Sequence, residues 1–164
     1  MPIVILGLGN LLMTDDGVGV HAVRALNADP PPDTVVREVG TRVFDALAVL
    51  QAGARVIAID AIDAGQPPGT VLQFELDYSD APEAPPSLHD FDLPALVRSL
   101  PPSRRPRVVV VGVQPATVAP GLELSGTVAG SLPTLLRTVR ELAAQRAAPQ
   151  HSRGFRGGMS RHPR

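Results

Sequence analysis

Apolar residues fall along the chain in two alternating patterns. Short unbroken runs at 3–6 and 108–111 read as buried strands, the second covered on both faces, while 34–39, 55–59 and 70–76 add three further strands. Between them the spacing turns helical. Val18, Ala22, Ala25 and Leu26 mark a helix over about 15–27, and 43–52 is apolar enough for a second, ended by Gly53. A short third helix fits about 92–100, and Leu132, Leu135, Leu136, Val139 and Leu142 form an amphipathic stripe on a fourth, which Pro133 either starts or kinks. Strands alternating with helices predict an α/β sandwich around a mostly parallel sheet. The link at 65–69 is too short for a crossover helix. It pairs the third and fourth strands antiparallel at one edge, which makes the sheet mixed.

Composition narrows this picture in a few places. At 164 residues, with 44% apolar and 3% aromatic residues and no Trp, the chain fits one domain whose core rests on Val, Leu, Ile and Ala. That domain spans 1–148. Residues 149–164 are Gly, Ser, Arg, His and Pro with almost no apolar residue, and are expected to form a disordered basic tail. A net charge of −1 gives no argument for nucleic acid or an anionic membrane. With no cysteine there are no disulfides, thiolate metal sites or Cys nucleophiles, which fits the cytosol. The first residues carry no basic leader, and no run approaches membrane-spanning length, so the expectation is a soluble, unexported protein.

Candidate chemistry concentrates at 3–20, where a strand, a glycine turn and a helix start follow one another. Gly7 and Gly9 invite a dinucleotide reading, but the third glycine of that fingerprint is Leu12 here. Asp15 and Asp16 would also face a pyrophosphate where a neutral or positive surface is needed. A cation suits the place better. Asp16 follows the first strand, Asp60 ends the third, and His89 lies in the proline-rich loop at 79–90, so three loops at one sheet edge offer two carboxylates and an imidazole. That donor set suits Ni, Zn, Mn or Fe without choosing among them. Each residue also has an ordinary structural reading: Asp15 and Asp16 as helix caps, Asp60 as a turn former, His89 as a solvated loop residue. His21 points off the Asp16 face, and His151 and His162 lie in the tail. There is no Gly-x-Ser-x-Gly elbow and no His-Glu-x-x-His zinc motif.

In order along the chain, the motifs are Gly7-x-Gly9-Asn10, Asp15-Asp16-Gly17-x-Gly19, Asp60-Ala61, Ser87-x-His89-x-x-x-Leu93 and Gly112-Val113-x-Pro115. Together they resemble the hydrogenase maturation endopeptidases, the nickel-dependent processing proteases of [NiFe] hydrogenases. The resemblance runs from Met1 to about Arg146. It implies a three-layer α/β/α sandwich with a mixed five-stranded sheet. It also implies a cytoplasmic enzyme, expected to be monomeric, that clips a C-terminal peptide from the hydrogenase large-subunit precursor. By the same resemblance the metal ligands and catalytic residues are Asp16, Asp60 and His89, and the nickel is carried by the precursor. Asp15 and Asp63 are reserves for acid–base work. Two departures stand out. The first ligand is often Glu in the family and is Asp16 here. The family's Gly-Gly-Thr loop, with a further Gly, reads Val39-Gly40-Thr41-Arg42-Val43. The rival readings are a metal-binding assembly factor that cuts nothing and an α/β nucleotide-binding module.

Overall fold

The computed structural model describes residues 2–51, 55–76 and 93–145. Five strands, β1 (Ile3–Leu8), β2 (Thr34–Gly40), β3 (Val56–Ala61), β4 (Val71–Glu75) and β5 (Val108–Val113), form one sheet in the order β2-β1-β3-β5-β4. The first three and β5 are parallel, and β4 runs antiparallel against β5. The mixed sheet is as expected, but the pairing of β4 is not. β3 has β1 on one side and β5 on the other, so no edge of it is left for β4. The short link after β3 therefore carries the chain across β5 to its outer edge.

Four α-helices cover the sheet: α1 (Val18–Ala28), α2 (Leu47–Gln51), α3 (Leu93–Arg98) and α4 (Gly126–Ala144). Strand periodicity divides the core in two. Val4, Leu6, Val56, Ala58, Val108 and Val110 face a layer containing Leu50, Leu96 and Val97 from α2 and α3. Ile5, Ile57, Ile59, Val109 and Val111 face Val18, Val23 and Leu26 of α1 and Leu135 and Val139 of α4. This is the α/β/α sandwich, and β3 and β5 are buried along their whole length because both faces are covered.

Helix starts differ from the apolar pattern. A 3-10 turn, Thr14–Gly17, precedes α1, and another, Val43–Ala46, precedes α2. α4 begins at Gly126, ahead of its leucine stripe, because Ser125 caps it by accepting the Val128 N–H at 3.3 Å. Pro133 lies inside α4 without ending it. The carbonyl it leaves without a helical partner is that of Ala129, and both residues are exposed, so water can take the vacant bond.

Register aligns the carboxyl ends of the parallel strands: Leu8 pairs with Gly40, Gly7 with Ile59, and Ala61 with Val113. The loops leaving β2, β1, β3 and β5 thus emerge along one edge, where open α/β sheets place their ligands.

Candidate active site

The turn after β1 is shaped by Gly9. Its φ of +117° suits glycine alone, and its N–H donates to the Gly40 carbonyl at 3.0 Å. Gly40 takes the left-handed conformation of the second loop, with φ +61°. Val39 keeps an ordinary φ and is buried in the core, and Val43 packs against the same cluster. The two valines of the altered loop therefore serve packing, while the position that needs glycine still has one.

Asp16 and Asp60 are both buried, each 3% exposed. An Asp16 carboxylate oxygen, Oδ2, accepts the Asn10 N–H at 3.1 Å, and Asp60 Oδ1 accepts the Ala61 N–H at 2.8 Å. The two residues meet at Gly9. A Cβ there would fall on the Asp16 carbonyl oxygen and lie 3.4 Å from Asp60 Oδ1. The turn after the first strand and the end of the third thus close on one point, as the spacing in the sequence anticipates. Asn10, whose role the sequence did not reveal, also accepts the Leu12 N–H on its Oδ1 at 2.9 Å, an Asx turn that fixes the loop.

Asp15 does something else. Its Oδ2 accepts the N–H groups of Ala116 and Thr117 at 2.9 and 2.8 Å and the Ser125 hydroxyl at 2.8 Å, and its Oδ1 accepts the Ser125 N–H at 2.7 Å. Burial works to raise its pKa. The hydrogen bonds from Thr117, Ser125 and Ala116 outweigh that and hold the carboxyl below its ordinary value. So engaged, Asp15 is a fixed carboxylate clamp between the 3-10 turn and the loop after β5. It is neither a helix cap nor an acid–base reserve. Asp63 is exposed and tied to its own loop: its Oδ1 accepts from Gln114 Nε2 at 3.1 Å and from the Gly65 N–H at 3.3 Å. Buried Gln114 in turn accepts the Ala64 N–H at 2.8 Å, so it orders the loop that follows Asp60.

His89 and the tail at 149–164 lie outside the described residues. His21 is half-buried on α1. Among the described residues no three or more His, Asp or Glu side chains gather as a metal-holding group. Two buried acids at the ends of neighbouring parallel strands are a donor chemistry that fits a cation. The pyrophosphate position of a nucleotide site is taken by the 3-10 turn with its two buried acids.

Fold and site together define an α/β/α protein with paired acids at the carboxyl edge of a mixed sheet. The sequence profile of the hydrogenase maturation protease family matches residues 20–142, and the chain belongs to that family. It is 31% identical over 158 residues to the hydrogenase expression/formation protein HoxM of Cupriavidus necator, covering 89% of this chain and 72% of that protein. Among solved structures it is similar to the hydrogenase maturating endopeptidase HybD from E. coli, with TM-score 0.72, 26% identity, and 85% of this chain and 90% of that one covered. It is also similar to the [NiFe] hydrogenase maturation protease HybD from Thermococcus kodakarensis, with TM-score 0.71, 30% identity, and coverage of 87% and 99%. Among the described residues no helix is long and apolar enough to cross a membrane.

Proposed function

We propose that this family member is a cytoplasmic, monomeric endopeptidase of aspartic, nickel-dependent type. It removes the C-terminal peptide of a [NiFe] hydrogenase large-subunit precursor that already carries nickel. Asp16, Asp60 and His89 hold that nickel, which arrives as part of the substrate. The observation that carries this reading is that two buried acids meet beside Gly9, approached by the Asp16 backbone carbonyl and by Asp60 Oδ1, at the ligand-binding edge of the sheet.

Bound there, nickel supplies Lewis-acid polarisation. The chain's own residues do the rest. Asp16 and Asp60 provide oxygen donors held by backbone N–H groups, and a carboxylate of this pair takes the proton of the attacking water. Asp15 keeps Asp16 in place and stays ionised throughout. Gly9 leaves room for the two acids to approach.

The test is to incubate the pure protein with nickel-loaded precursor and follow the precursor's mass. Loss of a C-terminal fragment is expected, and Asp16→Asn and His89→Ala abolish it with little change in melting temperature. Asp16→Glu cleaves at least as well as the wild type if the longer family ligand reaches the same point. Stable binding with no loss of mass would make the protein an assembly factor instead.

A further inference from the structure

Four large apolar side chains are exposed among the described residues: Leu12 at 61%, Phe44 at 77%, Val118 at 44% and Leu122 at 62%. All four stand on loops leaving the carboxyl ends of parallel strands. Phe44 follows β2, Leu12 follows β1, and Val118 and Leu122 follow β5. The opposite edge of the sheet exposes none among the described residues. The loop after β5 folds back, so that the segment bearing Val118 and Leu122 lies against the turn that carries Leu12 and Asp16.

The exposure is built into the backbone. The Gly121 N–H donates to the Leu12 carbonyl and the Thr14 N–H to the Gly121 carbonyl, both at 2.9 Å. The Thr14 hydroxyl donates to the Thr117 carbonyl at 2.7 Å and accepts the Ala119 N–H at 3.2 Å. With Asp15 clamping the same two loops, Leu12, Val118 and Leu122 sit on backbone that is pinned where it is. Apolar groups fixed in water beside a site mark a surface that a partner covers.

From this we infer that the four residues form an apolar rim that grips the precursor polypeptide beside the bond to be cut. This rests on the endopeptidase reading. Its support is continuity: the rim lies on the same edge of the sheet as Asp16 and Asp60, and among the described residues no other large apolar side chain is exposed.

Phe44→Ser and Leu122→Ser test the rim without touching the acids, and their exposure leaves the melting temperature unchanged. Cleavage kinetics on nickel-loaded precursor are measured beside its equilibrium binding by interferometry. Each variant should raise KM and Kd roughly tenfold, with kcat unchanged. If both constants stay at wild-type values while the precursor is still cut, the rim is overturned and the endopeptidase reading stands. Weakened binding in a protein that never cuts supports the rim and removes the endopeptidase. Neither binding nor cutting by the wild type overturns both. A wild-type dimer that Leu122→Ser renders monomeric, with precursor binding intact, overturns the proposal and assigns the rim to a second copy of the chain.

Discussion

Asp15 and Ser125 lie 110 positions apart and are joined twice, by the Ser125 N–H to Oδ1 at 2.7 Å and by the Ser125 hydroxyl to Oδ2 at 2.8 Å. The same hydroxyl oxygen accepts the Val128 N–H and so caps α4. One carboxylate thus sets the start of the last helix and holds the turn that contains Asp16. Of the two adjacent acids, the first organises the edge, and the second is the one proposed to act there.

Asp15→Asn should therefore be costly although it preserves shape. The amide replaces one acceptor oxygen with a donor that faces N–H and O–H donors, in a residue with no exposed surface. A loss of about 2–4 kcal/mol is expected. Urea unfolding checks it, and a change below about 0.5 kcal/mol would remove the clamp from the account.

The same residue gives a pH dependence of defined sign. Its folded pKa is below the ordinary carboxylate value, so the folded state favours the ionised form. Its stabilising contribution is complete above the unfolded pKa of about 3.9 and disappears as the pH falls through the lower folded value. The stability difference between wild type and Asp15→Asn should be flat from pH 7 down to about 5 and narrow below about 4. Unfolding curves at stepped pH measure it. A difference that instead narrows toward alkaline pH would contradict the assignment.

Gly9 and Gly65 separate space from strain. Both have positive φ, but a Cβ at Gly9 meets the Asp16 carbonyl, whereas one at Gly65 meets nothing within 4 Å. Gly65→Ala should cost only the conformational penalty, about 1–2 kcal/mol, and leave cleavage nearly intact. Gly9→Ala must move the backbone between the two acids, and should abolish cleavage as well as lower stability. Parallel melting and cleavage assays of the two variants decide this. Equal activities would mean that Gly9 does not set the approach of Asp16 and Asp60.

Much of this was legible in the residue pattern, and the gaps have physical causes. The valine run of β5 announced a strand covered on both faces. The glycine turn followed by acids located the edge where Asp16 and Asp60 meet. Local pattern carries such features because each depends on a few neighbouring residues. The partner of β4 was misread because pairing depends on which edge is left open, a property of the whole sheet. The start of α4 was missed because Ser125 makes it by capping, six residues and more ahead of the apolar stripe at Leu132. Residue pattern alone gave Asp15 and Asp16 the same helix-cap reading, and left Asp15 only a reserve role beside Asp16. Only the distant Ala116, Thr117 and Ser125 distinguish the two, and no local signal points to them.

On the proposed donor set, the timing of cleavage becomes a prediction. Asp16 and Asp60 offer carboxylate oxygens and His89 one imidazole, and the chain has no cysteine to add a soft ligand. Three such donors leave coordination positions for water or for groups of a partner, and hold a free divalent ion weakly. The isolated protein should accordingly bind nickel poorly in titration calorimetry, and Asp16→Asn should weaken that binding further. If the precursor supplies both the metal and its remaining ligands, nickel-loaded precursor is cut and nickel-free precursor is not. Cleavage then waits for metal insertion and works as a checkpoint on it. Running both precursor forms side by side measures this directly. Efficient cutting of the nickel-free form would overturn the checkpoint and leave the membership of the family untouched.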